Sequence, residues 1–162
     1  MNDLKNLDCL LPKTKKLLLE LIAECPFLEK YVLVGGSALT LHLCHRKSED
    51  LDFFTYDDSF DRQEIMHFLK KFQTKEILNQ TDEQIDLLID GVKVTFFNAK
   101  WDFLKPEKIK KFNLATVASI AAMKVNVLFL RAKLRDYYDL YFMVKKGLEL
   151  EEIFQYSQKI VV

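Results

Sequence analysis

Apolar and polar positions along the chain alternate between a helical and a strand period. Residues 12–24 (P-K-T-K-K-L-L-L-E-L-I-A-E) open on Pro12, which suits a first helical turn, and continue in strong helix formers until Cys25-Pro26 ends the run. Y-V-L-V (31–34) is short, apolar and rich in β-branched residues, a buried strand closed by Gly35-Gly36. Ser37 then reads as the N-cap of a helix over 38–43. L-D-F-F-T (51–55) predicts a second strand. Behind Asp61, a capping residue, apolar side chains at 65, 66, 68 and 69 predict an amphipathic helix over 61–71. From 75 to 97 the pattern is that of strands. Asp90-Gly91, inside Q-I-D-L-L-I-D-G-V-K-V-T-F-F, is a hairpin signal there.

The charged stretch 105–111 (K-P-E-K-I-K-K) reads as a loop, and Leu114 to Gln158 reads as helical with breaks near Arg131–Leu134 and at Gly147. This order predicts an α+β (mixed α/β) fold. A core over 1–112 holds a small mixed sheet flanked by helices, and a C-terminal helical unit over 113–162 packs on it, as one compact domain.

With 162 residues, 49% hydrophobic and 30% charged, the chain has enough apolar material for a real core. Lys+Arg and Asp+Glu both number 24, so net charge points to neither a nucleic acid nor a membrane, although local basic clusters remain open to RNA. Cys9, Cys25 and Cys44 are odd in number and widely spaced, and read as small apolar fillers in a reducing cytoplasm. The N-terminus M-N-D-L-K-N-L-D lacks the basic and apolar regions of a signal peptide. No apolar run reaches the roughly 18 residues that span a bilayer. Residues 117–130 come nearest and are interrupted by Ser119, Lys124 and Asn126. The expectation is a soluble cytoplasmic protein.

Three segments carry candidate chemistry. Gly35-Gly36-Ser37, between a strand and a helix, reads either as a tight turn or as a backbone cradle for an anion such as phosphate. Asp50 and Asp52 are two apart on a strand and share a face. They read either as a solvated strand start or as a site for a hard divalent cation completed by substrate phosphates. Arg46 and Ser48, just upstream, suit orientation of an aspartate or contact with phosphate. Lys124 lies in a helix that is apolar nearly all round, where a cation needs an anionic partner or must snorkel to solvent. In a continuous helix Arg131 and Arg135 would share its face.

Taken in order, G-G-S-A-L (35–39), R-K-S-E-D-L-D-F (46–53) and A-A-M-K-V-N-V-L-F-L-R-A-K-L-R-D-Y-Y-D-L (121–140) resemble the AbiEii/AbiGii-type nucleotidyltransferase toxins of abortive-infection and type IV toxin–antitoxin systems, within the polymerase-β-like nucleotidyltransferase superfold. The resemblance spans about residues 31–143. It implies that Gly35, Gly36 and Ser37 hold the phosphates of an NTP, with Arg46, Ser48, Arg131 and Arg135 as further nucleotide contacts. Asp50 and Asp52 would bind Mg²⁺, and Lys124 would meet triphosphate charge. Asp136 would orient Lys124 or help to activate the acceptor. The implied acceptor is RNA (tRNA included) or protein, and the implied partner a cognate antitoxin. Lys105, Lys108, Lys110 and Lys111 would suit tRNA phosphates or a plain solvated loop.

One departure from the family pattern concerns a third carboxylate, which many nucleotidyltransferases carry on a later strand. V-K-V-T-F-F (92–97) has Lys93 and Thr95 there and no acid; Asp86 and Asp90 lie on the preceding strand and turn and are not assigned that role. The departure keeps open a catalytically degenerate nucleotide-binding module. An antibiotic-modifying nucleotidyltransferase shares the G-G and D-x-D core but not the R-x-K-x-R-D-x-Y-D-L segment. A D-x-D glycosyltransferase needs no G-G-S turn.

Overall fold

Short β-branched and aromatic runs pair here into one mixed sheet, and the computed structural model describes residues 4–55, 60–100, 106–109 and 111–159. The strands are β1 (Val32–Val34), β2 (Leu51–Thr55), β3 (Lys75–Gln80), β4 (Gln84–Ile89), β5 (Val92–Asn98), β6 (Glu107–Ile109) and β7 (Phe112–Leu114), in the order β3-β4-β5-β2-β1-β7-β6. β2 runs antiparallel to β1 and parallel to β5, so the centre of the sheet is mixed. The β4–β5 hairpin closes at Asp90 and Gly91, both with positive φ (49° and 80°), which is the backbone a two-residue turn between twisted strands demands.

Alternation along the strands separates two faces. Leu51 and Phe53 of β2, Val94 and Phe96 of β5, and Ile85 and Leu87 of β4 are buried in the core. There Phe53 stacks on Phe96 at 5.4 Å between ring centroids, and Tyr31 meets Phe96 edge-on at 5.1 Å. The opposite face carries Asp52, Thr95 and Asp86, which stand side by side in the strand register. A one-residue slip would exchange the two faces, so burial of the apolar set also fixes where the carboxylates point.

Helix α1 (Pro12–Glu24) begins at proline, and α3 (Arg62–Phe68) is capped by Asp61, whose carboxylate accepts from the backbone N–H of Gln63 and Glu64 at 2.9 and 3.1 Å. Helix α2 (Gly35–Leu43) starts earlier than the sequence pattern predicts. Val34 occupies its N-cap position, and Ser37 is not a cap but sits inside the first turn. Its hydroxyl is claimed by tertiary partners, donating to the carbonyl of Asp50 and lying 3.0 Å from the Ser48 hydroxyl.

Two further expectations give way. Residues 107–109, expected as loop, form β6, because pairing with β7 supplies hydrogen bonds that the charged sequence E-K-I does not advertise. Lys105 and Lys110 lie outside the described residues, while Lys108 and Lys111 are exposed. Of the three cysteines only Cys25 is a buried filler. Cys9 and Cys44, with Cα atoms 5.5 Å apart, are joined as a disulfide that ties the N-terminal segment to the end of α2.

The C-terminal helices are α4 (Val117–Leu130), capped by Thr116, α5 (Leu134–Lys145) and α6 (Leu150–Ser157). Arg131 and Lys133 are extended, so α4 and α5 are two helices and not one. That break turns α5 back so that its Asp136 and Asp139 reach Lys124 on α4. Among the described residues no helix is long and apolar enough to cross a membrane.

Candidate active site

A cleft of about 480 Å³ opens over the polar face of the sheet, between β2, the start of α2 and the α4–α5 break. The structure brings to its walls all the side chains the sequence singled out: Gly35, Gly36, Ser37, Arg46, Ser48, Asp50, Asp52, Lys124, Arg131, Arg135 and Asp136.

The glycines have a local reason. Gly35 has φ +71°, and a Cβ there would fall 2.7 Å from Asp52 Oδ2. A Cβ on Gly36 would fall 2.5 Å from Arg46 Nη2. The turn is bare because an aspartate and an arginine lie directly on it, which leaves the first N–H groups of α2 beside both. The segment between them is anchored from below: Leu11 N–H donates to the Ser48 carbonyl at 3.0 Å and the Thr14 hydroxyl to the Glu49 carbonyl at 2.7 Å.

Charge is divided unequally across the cleft. On the β2 side, burial and then the Asp50 carboxylate push the Asp52 carboxyl upward from its ordinary value; Lys93, the nearby Thr95 hydroxyl and Lys124 oppose this. Among the described residues no group of three His, Cys, Asp or Glu side chains converges to hold an ion. Asp50 and Asp52 both line the cleft, and an ion held by two carboxylates alone would take further oxygens from a substrate, as Mg²⁺ commonly does with nucleotides.

The opposite wall is cationic and tied from behind. Lys124, 8% exposed, places its Nζ 2.9 Å from Asp136 Oδ1 and 2.7 Å from Asp139 Oδ2. Asp139, fully buried, also takes both ends of the Arg46 fork, from Nε at 2.6 Å and Nη2 at 2.9 Å, and lies 2.7 Å from His45 Nε2. Burial works against the charged form of Asp139. The Arg46 and His45 hydrogen bonds and the Lys124 ammonium outweigh it and hold the carboxyl well below the usual carboxylate range. The same hydrogen bond with Asp139 pushes Arg46 further up. Among the described residues Asp136 Oδ2 has no hydrogen-bond partner, with Arg131 Nε 4.0 Å away.

Residues 16–110 match the family described as "Nucleotidyl transferase AbiEii toxin, Type IV TA system", a span that holds both the glycine turn and the D-x-D strand. The chain belongs to the AbiEii nucleotidyltransferase family. A curated relative, uncharacterized protein aq_aa25 of Aquifex aeolicus, is 32% identical over 148 residues, covering 88% of this chain and 72% of the relative. Among solved structures, JHP933 from Helicobacter pylori superposes with a TM-score of 0.61 at 21% identity, over 93% of this chain and 73% of its own. The antibiotic-resistance factor ANT(2'')-Ia superposes with a TM-score of 0.68 at 13% identity, over 91% of each chain. At such identities these two likenesses speak for the fold.

This AbiEii nucleotidyltransferase also places at the cleft, or directly behind it, side chains that the sequence pattern did not assign there. Asp139 is the hub of the cationic wall, and its spacing of three from Asp136 on one helix face was the available signal. His45 adjoins Arg46 but reaches Asp139 only through the fold. Asp86, Lys93 and Thr95 line the cleft because β4 and β5 pair beyond β2.

Proposed function

We propose that the cleft transfers a nucleotidyl group from an NTP to an RNA or protein acceptor, and that the chain acts as the toxin of a pair with a cognate antitoxin. The observation that carries the reading is the meeting of opposite charges in one cleft: Asp50 and Asp52 beside the bare Gly35-Gly36 turn, with Arg46 against Gly36 and Lys124 tied to it through Asp139. The donor set fits Mg²⁺, since both carboxylates line the cleft and, with no third His, Cys, Asp or Glu side chain grouped with them among the described residues, phosphate oxygens would supply the remaining positions. Asp50 and Asp52 would hold Mg²⁺, which would supply Lewis-acid stabilisation of the charge that develops on the phosphates.

The protein's own groups do the positioning. The α2 N-terminus presents N–H donors to the phosphates. Lys124 is held by Asp136 and Asp139 through two of its three N–H donors, which leaves it oriented toward the cleft. Arg46 is clamped in the same way, so the cationic wall is set before substrate arrives, and a preorganised charge needs little rearrangement in the transition state. Arg131 and Arg135, at the break between α4 and α5, stand where the triphosphate would extend.

The test is transfer from radiolabelled NTPs, with Mg²⁺, into bulk RNA and bulk protein. The parent is expected to label one of the pools and Asp52→Asn to label neither; equal signals from the two chains would remove catalysis from this site. In cells, growth arrest by the parent, absent for Asp52→Asn and relieved by the neighbouring gene's product, is the expected sign of a toxin. Thr95, standing where an acid would complete a trio on β5, favours a second reading. In that reading the module binds NTP without turnover, as tight NTP binding with no transfer to either pool would show.

A further inference from the structure

A further carboxylate faces the cleft from one strand beyond Thr95. Asp52 on β2 is in register with Thr95 on β5, and Thr95 with Asp86 on β4, so the three form a row across the polar face. Asp86 is 8% exposed and lines the cleft. Gln84 Nε2 donates to both of its carboxylate oxygens at 3.0 Å, and the Thr95 hydroxyl donates to Oδ1 at 2.8 Å. Each of these partners is neutral. The other buried carboxylates of the site, Asp136 and Asp139, are matched by Lys124 and Arg46. A largely buried carboxylate oriented by neutral donors, with lone pairs to spare on Oδ2, is placed to accept from something that enters the cleft.

Distance and direction narrow what that is. Neighbouring strands lie about 4.8 Å apart, so the backbone of Asp86 stands about 10 Å across the sheet from that of Asp52, with Thr95 between them. The strand order β4-β5-β2-β1 puts the Gly35–Ser37 turn, which follows β1, on one side of Asp52 and Asp86 on the other. With phosphates over the turn and the α-phosphorus near Asp50 and Asp52, an in-line nucleophile approaches from the β5 and β4 side.

We propose that Asp86 is the base that receives the acceptor's hydroxyl proton, held in orientation by Gln84 and Thr95; the proposal rests on the nucleotidyl-transfer reading above. As the proton passes to Asp86, the acceptor oxygen forms its bond to the α-phosphorus. The bond from that phosphorus to the bridging oxygen breaks, and its electron pair leaves with pyrophosphate. Position 95 is then not the seat of a lost carboxylate but the hydroxyl that steers one displaced by a strand.

The experiment compares the full chain, Asp86→Asn and the double variant Asp86→Asn/Thr95→Asp. Mn²⁺ and non-hydrolysable NTP binding are read by calorimetry, and transfer from a mixture of the four radiolabelled NTPs into bulk RNA and protein is measured alongside. For Asp86→Asn, binding of both probes is expected within about threefold of the parent. Its kcat for transfer falls by about 10²–10⁴ with the NTP KM unchanged, the range that loss of a general base produces. The double variant, which returns a carboxylate to the same row, is expected to recover at least about tenfold of that loss. Mn²⁺ binding weakened tenfold or more by Asp86→Asn would make Asp86 a metal ligand and overturn the proposal. Transfer within about threefold of the parent would overturn it too, while leaving nucleotidyl transfer intact. A parent that binds NTP but labels neither pool would sink the transfer reading itself and this proposal with it.

Discussion

Replacing Asp139 by asparagine keeps the shape of the side chain and removes the charge on which His45, Arg46 and Lys124 converge. The carboxylate is fully buried and takes donors at 2.6, 2.7, 2.7 and 2.9 Å. An amide has one acceptor oxygen, so its NH₂ must face at least one of those donors, and Arg46 and Lys124 lose their shared counter-charge. Breaking a buried charge pair by removing one partner costs about 3–5 kcal/mol. At about 2–4 °C per kcal/mol for a domain of this size, the Tm should fall by about 10 °C. The pH dependence gives a second check. Because the folded carboxyl of Asp139 is held below its unfolded value of about 3.9, its stabilisation is complete above that pH and is lost as pH falls toward the folded value. Urea titrations of parent and variant should therefore differ fully at pH 7 and draw together below about pH 3.9. A difference under about 1 kcal/mol at pH 7, or one that does not shrink in acid, would refute the view of Asp139 as the ionised hub of the cationic wall.

Asp52 behaves in the opposite sense. Burial and the Asp50 carboxylate raise its folded carboxyl, so ionising it costs stability as pH rises through the unfolded value of about 3.9, and that cost persists at pH 7. Asp52→Asn should raise the Tm of the metal-free protein at pH 7, leave it unchanged near pH 3, and abolish the further rise that Mg²⁺ gives the parent; scanning calorimetry reads all three. Reduction of the Cys9–Cys44 bond, which closes a loop of sequence separation 35, should lower stability by about 4 kcal/mol on the chain-entropy estimate. Thiol titration of the denatured, unreduced protein should find one free thiol. In the folded state that thiol should react slowly, since burial pushes Cys25 up to about 12.

What could be read from the sequence depended on how far apart the cooperating residues lie along the chain. Asp52 faces the cleft because strands alternate, with Asp50 just ahead of the strand on the same cleft, and Asp90-Gly91 demands its turn wherever the hairpin ends up; both follow from two or three adjacent residues. Ser37 shows where local rules stop. Its position after two glycines suits a cap, but Asp50 and Ser48, brought alongside by β2, compete for the hydroxyl and win. The Cys9–Cys44 bond, β6 and the reach of His45 to Asp139 are likewise set by partners from distant segments. Thr95 is the clearest case. Read along the chain it marks a strand without its acid; read across the sheet it stands between Asp52 and Asp86.

The unequal division of charge also predicts that the two walls respond differently to a ligand. Arg46 and Lys124 are matched by Asp136 and Asp139, so the cationic wall is stable without substrate. Asp50 and Asp52 are left in mutual repulsion beside Gly35, and Asp86 has only neutral partners. On the proposed function, a divalent cation with a triphosphate would relieve the first strain and reach across to the paired wall. Stability withheld on the carboxylate side would then be released when ion and nucleotide arrive together, because two carboxylates alone do not complete a shell for the ion. Calorimetry should accordingly show positive coupling: Mn²⁺ should bind more tightly with the NTP analogue present than without it, and the analogue should gain by the same factor from Mn²⁺. Independent binding of the two would mean that the carboxylate pair and the cationic wall do not act on one ligand.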